Sequence, residues 1–287
     1  MEGTIEQQNE KIPTDDGVEL AATTFSPDGE VDRVIVLNSA VAMPRRYYAA
    51  MSKFFADAGY GVVTYDYRGI GDSGPDDLVG YEASVTDWAE HDTRSVLTWA
   101  RRHFDADTLI VFGHSLGGQI MGLLGDRDDI DVLVTFAAQT GYWKMQAPGE
   151  RLKVLFGMRW IYPALTHLCD YLPWGRIFSG EDLPKEAALQ WASWCTYPNY
   201  LLDDETLENR DNFERFTAPI IAYSADDDHW GHRDSVDWMM NQFTNAPLER
   251  IHLVPEEVGV EKIGHLGFFR PEMSFLWEEI DDRLREQ

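Results

Sequence analysis

Apolar positions along the chain fall into two alternating textures. Short continuous runs occur at Val18 to Phe25, Val34 to Leu37, Gly61 to Tyr65, Leu109 to Phe112, Val132 to Ala137, Ile220 to Tyr223 and Arg250 to Val254. Continuous runs of this kind, rather than period-two alternation, suit strands covered on both faces, as in a parallel sheet flanked by helices. Between the runs the apolar spacing changes to three and four. Pro44 precedes Tyr47, Tyr48, Met51, Phe54 and Phe55, and Gly59 closes the pattern, giving a proline start and a glycine stop. Ser84 with Asp87 signals the cap of the next helix. Its stripe runs through Val85, Trp88, Ala89, Val96 and Trp99, and Asp92 lies on the same face, where a buried carboxylate needs a partner. Val236, Met239, Met240 and Phe243 mark a further helix, and Leu276, Ile280 and Leu284 behind Pro271 mark the last. Strands alternating with helices predict an α/β layered fold.

The alternation breaks once, between Ala138 and Ile220. This interval holds Trp143, Trp160, Trp174, Trp191 and Trp194, half of the ten tryptophans, together with Pro148, Pro163, Pro173, Pro184 and Pro198. The prolines predict short helices. The expected organisation is a core formed by residues 1–140 and 219–287, with residues 141–218 inserted as a helical cap. A second irregularity imitates a membrane span, because Thr108 to Gly125 carries no charge. Gly113, Gly117, Gly118, Gly122 and Gly125 among His114, Ser115 and Gln119 predict instead a strand, a sharp turn and a close-packed helix.

Composition narrows the function classes. At 287 residues the chain is long enough to bury a core in one large domain. Its 50 acidic residues against 24 basic ones leave a net charge of −26. That sign repels phosphate backbones and anionic lipid heads, so neither nucleic acid nor a membrane surface is expected to bind through a basic face. Both an ordinary acidic surface and adaptation to high salt produce such a balance. Cys169 and Cys195 are too few for a disulfide framework, and the opening MEGTIEQQNEK has no basic head before an apolar run. The expectation is a cytoplasmic protein.

The sharpest chemical signal is Gly113-His114-Ser115-Leu116-Gly117, which follows the run Leu109 to Phe112 and precedes the helical spacing Leu116, Ile120, Leu123. A strand-turn-helix elbow holds its serine in a strained conformation, and small neighbours let strand and helix approach closely. The hydroxyl then stands at the positive end of a helix, where an oxyanion is also stabilised. On this motif the chain resembles the α/β-hydrolase superfamily. The segment Asp66-Tyr67-Arg68-Gly69-Ile70-Gly71-Asp72-Ser73 is similar to the loop after an early central strand in many members. Within the superfamily the resemblance is to a group of bacterial predicted α/β hydrolases of mostly unknown substrate.

The resemblance implies a Ser, Asp, His triad. A serine hydroxyl is a poor nucleophile without an adjacent base that a third group orients. Of eight histidines, His265 in Ile263-Gly264-His265-Leu266-Gly267 lies between the last strand and the last helix, where the family places its base. Asp228 is the expected acid, with Asp226 and Asp227 as alternatives in the same run. The oxyanion donors are expected at Leu116 and in the loop Asn38-Ser39-Ala40-Val41, at Ala40 with Val41 as the alternative; Asn38 and Ser39 replace the His-Gly of many relatives. Expected substrate-binding residues are Val41, His114, Tyr142, Trp143 and Trp191, with most cap tryptophans forming the cap's own core.

These expectations amount to a serine hydrolase cleaving a carboxylic ester or related acyl compound, one with an apolar portion, with no cofactor and no metal. Serine at the elbow argues against relatives with a carboxylate nucleophile. Acyl transfer by the same triad, or a hydrolase fold that binds a small molecule with little turnover, are the alternative functions. Two decoys are set aside. Gly69 to Gly74 matches a dinucleotide fingerprint, but Pro75-Asp76-Asp77 follows where a helix is required. Asp226 to Asp228 with His229 and His232 matches no common metal-ligand spacing.

Overall fold

The computed structural model describes residues 5–124 and 129–286; Gly125 lies outside the described residues. Among the described residues ten strands occur in chain order: β1 (Glu6–Pro13), β2 (Glu19–Ser26), β3 (Arg33–Asn38), β4 (Gly61–Tyr65), β5 (Thr108–His114), β6 (Val132–Phe136), β7 (Tyr171–Leu172), β8 (Leu183–Pro184), β9 (Ile220–Ala225) and β10 (Leu248–Leu253). Eight of them form one sheet in the order β1-β2-β4-β3-β5-β6-β9-β10. The β1/β2 and β2/β4 pairings are antiparallel and the others parallel. This is the fold the apolar runs anticipated.

The pleat sorts the side chains of β5 onto two cores. Leu109 and Val111 join one buried cluster, and Ile110 and Phe112 join the other on the opposite face. The helix Ala49–Asp57 and the last helix, Ser274–Arg285, cover the second face through Met51, Phe55, Leu276 and Ile280. The first face receives the helical run from Val85 to Phe104, capped as expected by Ser84 and Asp87. Asp92 finds its partner there: Arg68 donates to it from its backbone N–H at 2.8 Å and from Nε at 2.7 Å, and Asp16 holds the other end of the guanidinium. The apparent dinucleotide fingerprint is a compact turn, with Gly69 N–H on the Ser73 carbonyl at 3.0 Å.

Two elements differ from expectation. β1 reads Glu-Gln-Gln-Asn-Glu-Lys-Ile-Pro, and only Ile12 in it is buried. It is an edge strand held by backbone pairing to β2, which leaves no hydrophobic trace. In the interval between β6 and β9 the chain is helical through Arg151–Phe156, Gly157–Ile161 and Tyr162–Cys169 without a break, despite Pro163. Residues Gly157 to Ile161 form a π turn. Widening the turn before a proline accommodates both its missing N–H and its ring, where a strict α-helix would stop. Helices Lys185–Trp194 and Asn212–Arg215 follow in the interval, with Trp194 and Cys195 fully buried and Cys169 half-buried.

Candidate active site

Four segments converge at the carboxyl ends of β3, β5, β6 and β9. Ser115, immediately after β5, has φ 50° and ψ −117°, a strained backbone for a non-glycine residue. It is held there by its N–H on the Phe136 carbonyl (2.8 Å) and by the amides of Gly118 and Gln119 on its own carbonyl (3.0 and 3.2 Å). Close approach demands the glycines. A Cβ on Gly113 would lie 2.5 Å from Gly118 Cα, and one on Gly117 would lie 2.4 Å from the Asn38 carbonyl oxygen. Asn38, the departure from the relatives' His-Gly, ties this loop to the elbow: its amide donates to the Gly117 carbonyl (3.3 Å) and accepts from Tyr65 Oη (2.9 Å).

His265 and Asp228 are brought together. His265 Nδ1 lies 2.7 Å from Asp228 Oδ2, so Nδ1–H donates and Nε2 is left for the cavity. Asp228 is buried, which favours its neutral form. Charge attraction and the hydrogen bond from His265, with the backbone amides of Gly231 and Trp230, outweigh that burial and hold the carboxyl below its ordinary range. The neighbouring aspartates do other work. Asp227 accepts from the amides of Ile263 (3.0 Å) and Gly264 (2.8 Å), fastening the loop that carries His265. Asp226 is exposed and lies 3.5 Å from His252 Nε2. His232 Nε2–H donates to the Met145 carbonyl at 2.6 Å, so this acidic run is distributed over separate tasks.

Ser115 and His265 line one cavity of about 250 Å³. Among the described residues the hydrogen bond of the Ser115 hydroxyl is to Gln139 Oε1, a long 3.5 Å. Four of the expected donors and binders require correction, Ala40 and His114 first. Ala40 N–H is already engaged, donating to Tyr48 Oη at 2.9 Å. The amides of Val41 and Leu116 have no acceptor among the described residues, and both residues line the cavity. His114 is fully buried and contributes no wall. Its Nδ1 accepts from Tyr48 Oη and its Nε2–H donates to the His265 carbonyl, each at 2.9 Å. Burial, reinforced by repulsion from His265, lowers its pKa to about 3, so it stays neutral.

Most of the aromatic wall comes from the interval between β6 and β9. Trp191 and Val41 line the cavity as expected, whereas Tyr142 and Trp143 lie outside its lining. Those two rings pack on each other at 6.1 Å instead, and Trp143 packs against the sheet-face core. The sequence reading missed Tyr162, Trp174, Phe178, Tyr200 and Trp230, which line the cavity. An aromatic ladder runs from Phe178 to Trp174 (4.4 Å between centroids), to Trp191 (5.5 Å) and to Trp230 (6.2 Å). The same interval also touches the turn after β3. Ala42, at φ 62°, accepts from Glu181 N–H at 2.7 Å, and a Cβ on Gly180 would lie 2.6 Å from the same carbonyl oxygen.

Among the described residues one group has metal-ligand proximity: Asp15, Asp16 and His91. Asp16 is bound through both oxygens to Arg68 (2.6 and 2.9 Å), and His91 Nδ1 lies 2.7 Å from Asp15, so these ligand atoms already have partners.

A family model for the alpha/beta hydrolase family matches residues 34–273. The chain belongs to that family. No curated protein matches the sequence. Among solved structures, the esterase Pf2001 of Pyrococcus furiosus is similar at 16% identity, covering 98% of this chain and 93% of its own, with a TM-score of 0.63. The esterase EaEST of Exiguobacterium antarcticum is 16% identical, covering 97% and 100%, with a TM-score of 0.61. Est1E of Butyrivibrio proteoclasticus, solved with ferulic acid bound, is 16% identical, covering 97% and 98%, with a TM-score of 0.62. At this identity the likeness is one of fold. This alpha/beta hydrolase has no helix among its described residues long and apolar enough to cross a membrane.

Proposed function

We propose that the protein is a serine hydrolase of carboxylic esters with an apolar acyl or alcohol portion, with residues 141–218 as the cap that shapes the substrate chamber. The observation that carries the reading is the junction of a strained Ser115 with the His265–Asp228 pair at one aromatic cavity. In this mechanism His265 Nε2 takes the Ser115 proton as Oγ attacks the ester carbonyl. Asp228, held ionised, fixes the working tautomer and stabilises the imidazolium. The developing oxyanion is received by the amides of Leu116 and Val41. His265 then protonates the departing alcohol, leaving an acyl group on Ser115. Water, deprotonated by the same imidazole, releases the acid and restores the enzyme. No step requires a cofactor, and the small-molecule substrate is the only partner the mechanism needs.

Gln139 has a defined place in this scheme. Its Oε1 holds the Ser115 hydroxyl away from bulk solvent before substrate arrives, and the 3.5 Å length makes that bond easy to exchange for His265. A panel of chromogenic esters of graded acyl length, run with wild type and Ser115→Ala, tests the reading. Turnover should fall by about 10⁴-fold or more in the variant. A fluorophosphonate should add once to wild type and not to Ser115→Ala. Undiminished hydrolysis by the variant would refute the mechanism.

A further inference from the structure

Nine large hydrophobic side chains are exposed among the described residues, and seven of them fall between Leu152 and Phe178. Leu152 is 73% exposed, Phe156 56%, Trp160 53% and Leu168 82%. The first three are four residues apart, and the rings of Phe156 and Trp160 touch at 5.4 Å between centroids. The opposite side of the same helical run, at Val154, Met158 and Thr166, is buried against the body. The outer stripe is therefore not displaced core; the helix has packed one side and left a second apolar side unpartnered.

Charge on this element opposes that of the chain. Arg151 to Cys169 contains Arg151, Lys153 and Arg159 and no acidic residue, and residues 141–180 hold five Lys or Arg against two Asp or Glu in a chain of net charge −26. Arg151, Lys153 and Arg159 are all exposed. Total charge thus conceals a local inversion. At physiological salt, charges more than about 8 Å from a surface are largely screened, so the contacting face decides. An apolar stripe of Leu, Phe and Trp bordered by cations is the composition of a helix lying in a membrane interface.

We propose that the outer face of the helical run Arg151–Cys169 docks on an anionic lipid surface. Leu152, Phe156, Trp160 and Leu168 enter the boundary between headgroups and acyl chains, and Arg151, Lys153 and Arg159 pair with headgroup phosphates. A symmetric dimer through this face fits less well, because it would oppose the three cations to their own copies. The face adjoins the cavity mouth. Tyr162 follows Ile161 on the run and packs on Phe178, which is 46% exposed and also lines the cavity. Docking would present the mouth to the lipid, so esters would enter from the bilayer; this extension rests on the hydrolase reading, whereas docking itself does not.

Flotation of the full chain with phosphatidylglycerol–phosphatidylcholine vesicles, and with phosphatidylcholine alone, at 0.15 M salt tests the docking. Wild type should partition about tenfold or more in favour of the anionic vesicles. Phe156→Ser with Trp160→Ser, and separately Arg151→Glu with Lys153→Glu and Arg159→Glu, should each lose about tenfold or more of that binding. Both variants should keep wild-type circular dichroism and wild-type hydrolysis of a soluble short ester. The charge-reversal variant decides the matter if the apolar one fails to fold. Absence of wild-type flotation, or equal flotation of wild type and folded variants, would overturn the proposal. So would sedimentation of the lipid-free wild type as a dimer that Phe156→Ser with Trp160→Ser converts to monomer, since a second copy would then cover the face. Binding without ester hydrolysis would leave the docking intact and reject the hydrolase reading alone.

Discussion

His114 Nε2–H donates to the backbone carbonyl of His265 at 2.9 Å, so the residue before the candidate nucleophile holds the candidate base. The loop Ile263 to Leu266 is fastened at three further points: the Ile263 and Gly264 amides on Asp227, and the Leu266 carbonyl, which accepts from Tyr47 Oη at 2.7 Å. Through Tyr48 the same His114 reaches the Ala40 amide, joining the elbow, the loop of His265 and the turn after β3 in one chain of hydrogen bonds.

Replacing His114 should therefore disturb turnover more than affinity. His114→Phe keeps a ring against Phe269 and Tyr48 but leaves the Tyr48 O–H without its acceptor and the His265 carbonyl without its donor, at about 1–3 kcal/mol each. The expected result is a fall of about 10- to 100-fold in kcat with KM within a few-fold of wild type, and partial recovery in His114→Gln. Steady-state kinetics with a soluble ester measure both. A variant with lowered melting temperature but unchanged kcat would show that the chain of bonds serves stability alone.

The same residue gives stability a pH dependence of known sign. His114 has its pKa lowered from 6.5 to about 3 in the fold. Below pH 6.5 the unfolded chain takes up a proton that the native protein refuses, so this contribution is complete above 6.5 and erodes as pH falls toward 3. The slope is about 1.4 kcal/mol per pH unit. Asp228, whose carboxyl is held low, acts in the same direction at still lower pH. Urea denaturation of wild type and His114→Gln between pH 7.5 and 4.5 should give curves that converge as pH falls. Parallel curves would show that His114 protonates in the native state.

The three consecutive aspartates should separate by role. Asp228→Asn should cost about 10⁴-fold in kcat, as expected when the imidazole loses its orienting carboxylate. Asp227→Asn weakens two charge-assisted bonds to the histidine loop, and about tenfold is expected. Asp226→Asn, altering an exposed contact of 3.5 Å, should stay within twofold. Any other order of severity contradicts the assignment.

Chamber shape should be readable in acyl preference. Trp191 sits in the aromatic ladder between Trp174 and Trp230. Trp191→Leu lengthens the chamber, and the kcat/KM ratio of octanoyl to butyryl ester should rise by about tenfold, since each added methylene is worth about 1–3 kcal/mol in a fitted pocket. An unchanged ratio would mean that acyl chains occupy another part of the cavity.

Much of this organisation is legible along the chain because it rests on strong local signals. The buried parallel strands declare themselves as apolar runs, and the bend at Ser115 shows in the glycines packed around it. His265 and Asp228, which the structure pairs at 2.7 Å, are expected only through the family resemblance, which sets an acid and a base beyond particular strands. What escapes has no local signature. β1 is held by backbone pairing that any polar sequence supports. The engagement of the Ala40 amide depends on Tyr48 folding back beneath it. Tyr162 and Trp174 differ from Tyr142 and Trp143 only in where the long interval between β6 and β9 places them. The π turn before Pro163 carries the helix past a proline that reads as a stop, and it keeps Leu168 in a continuous element with Phe156 and Trp160.

The bond from the Glu181 amide to the Ala42 carbonyl ties residues 178–181, beside the cavity, to the turn that carries Val41. An ester bulky enough to push residues 178–181 outward would tug on the turn that presents the Val41 amide. Oversized guests would then be accommodated yet converted slowly, so the molecule would sort its substrates by speed rather than by grip.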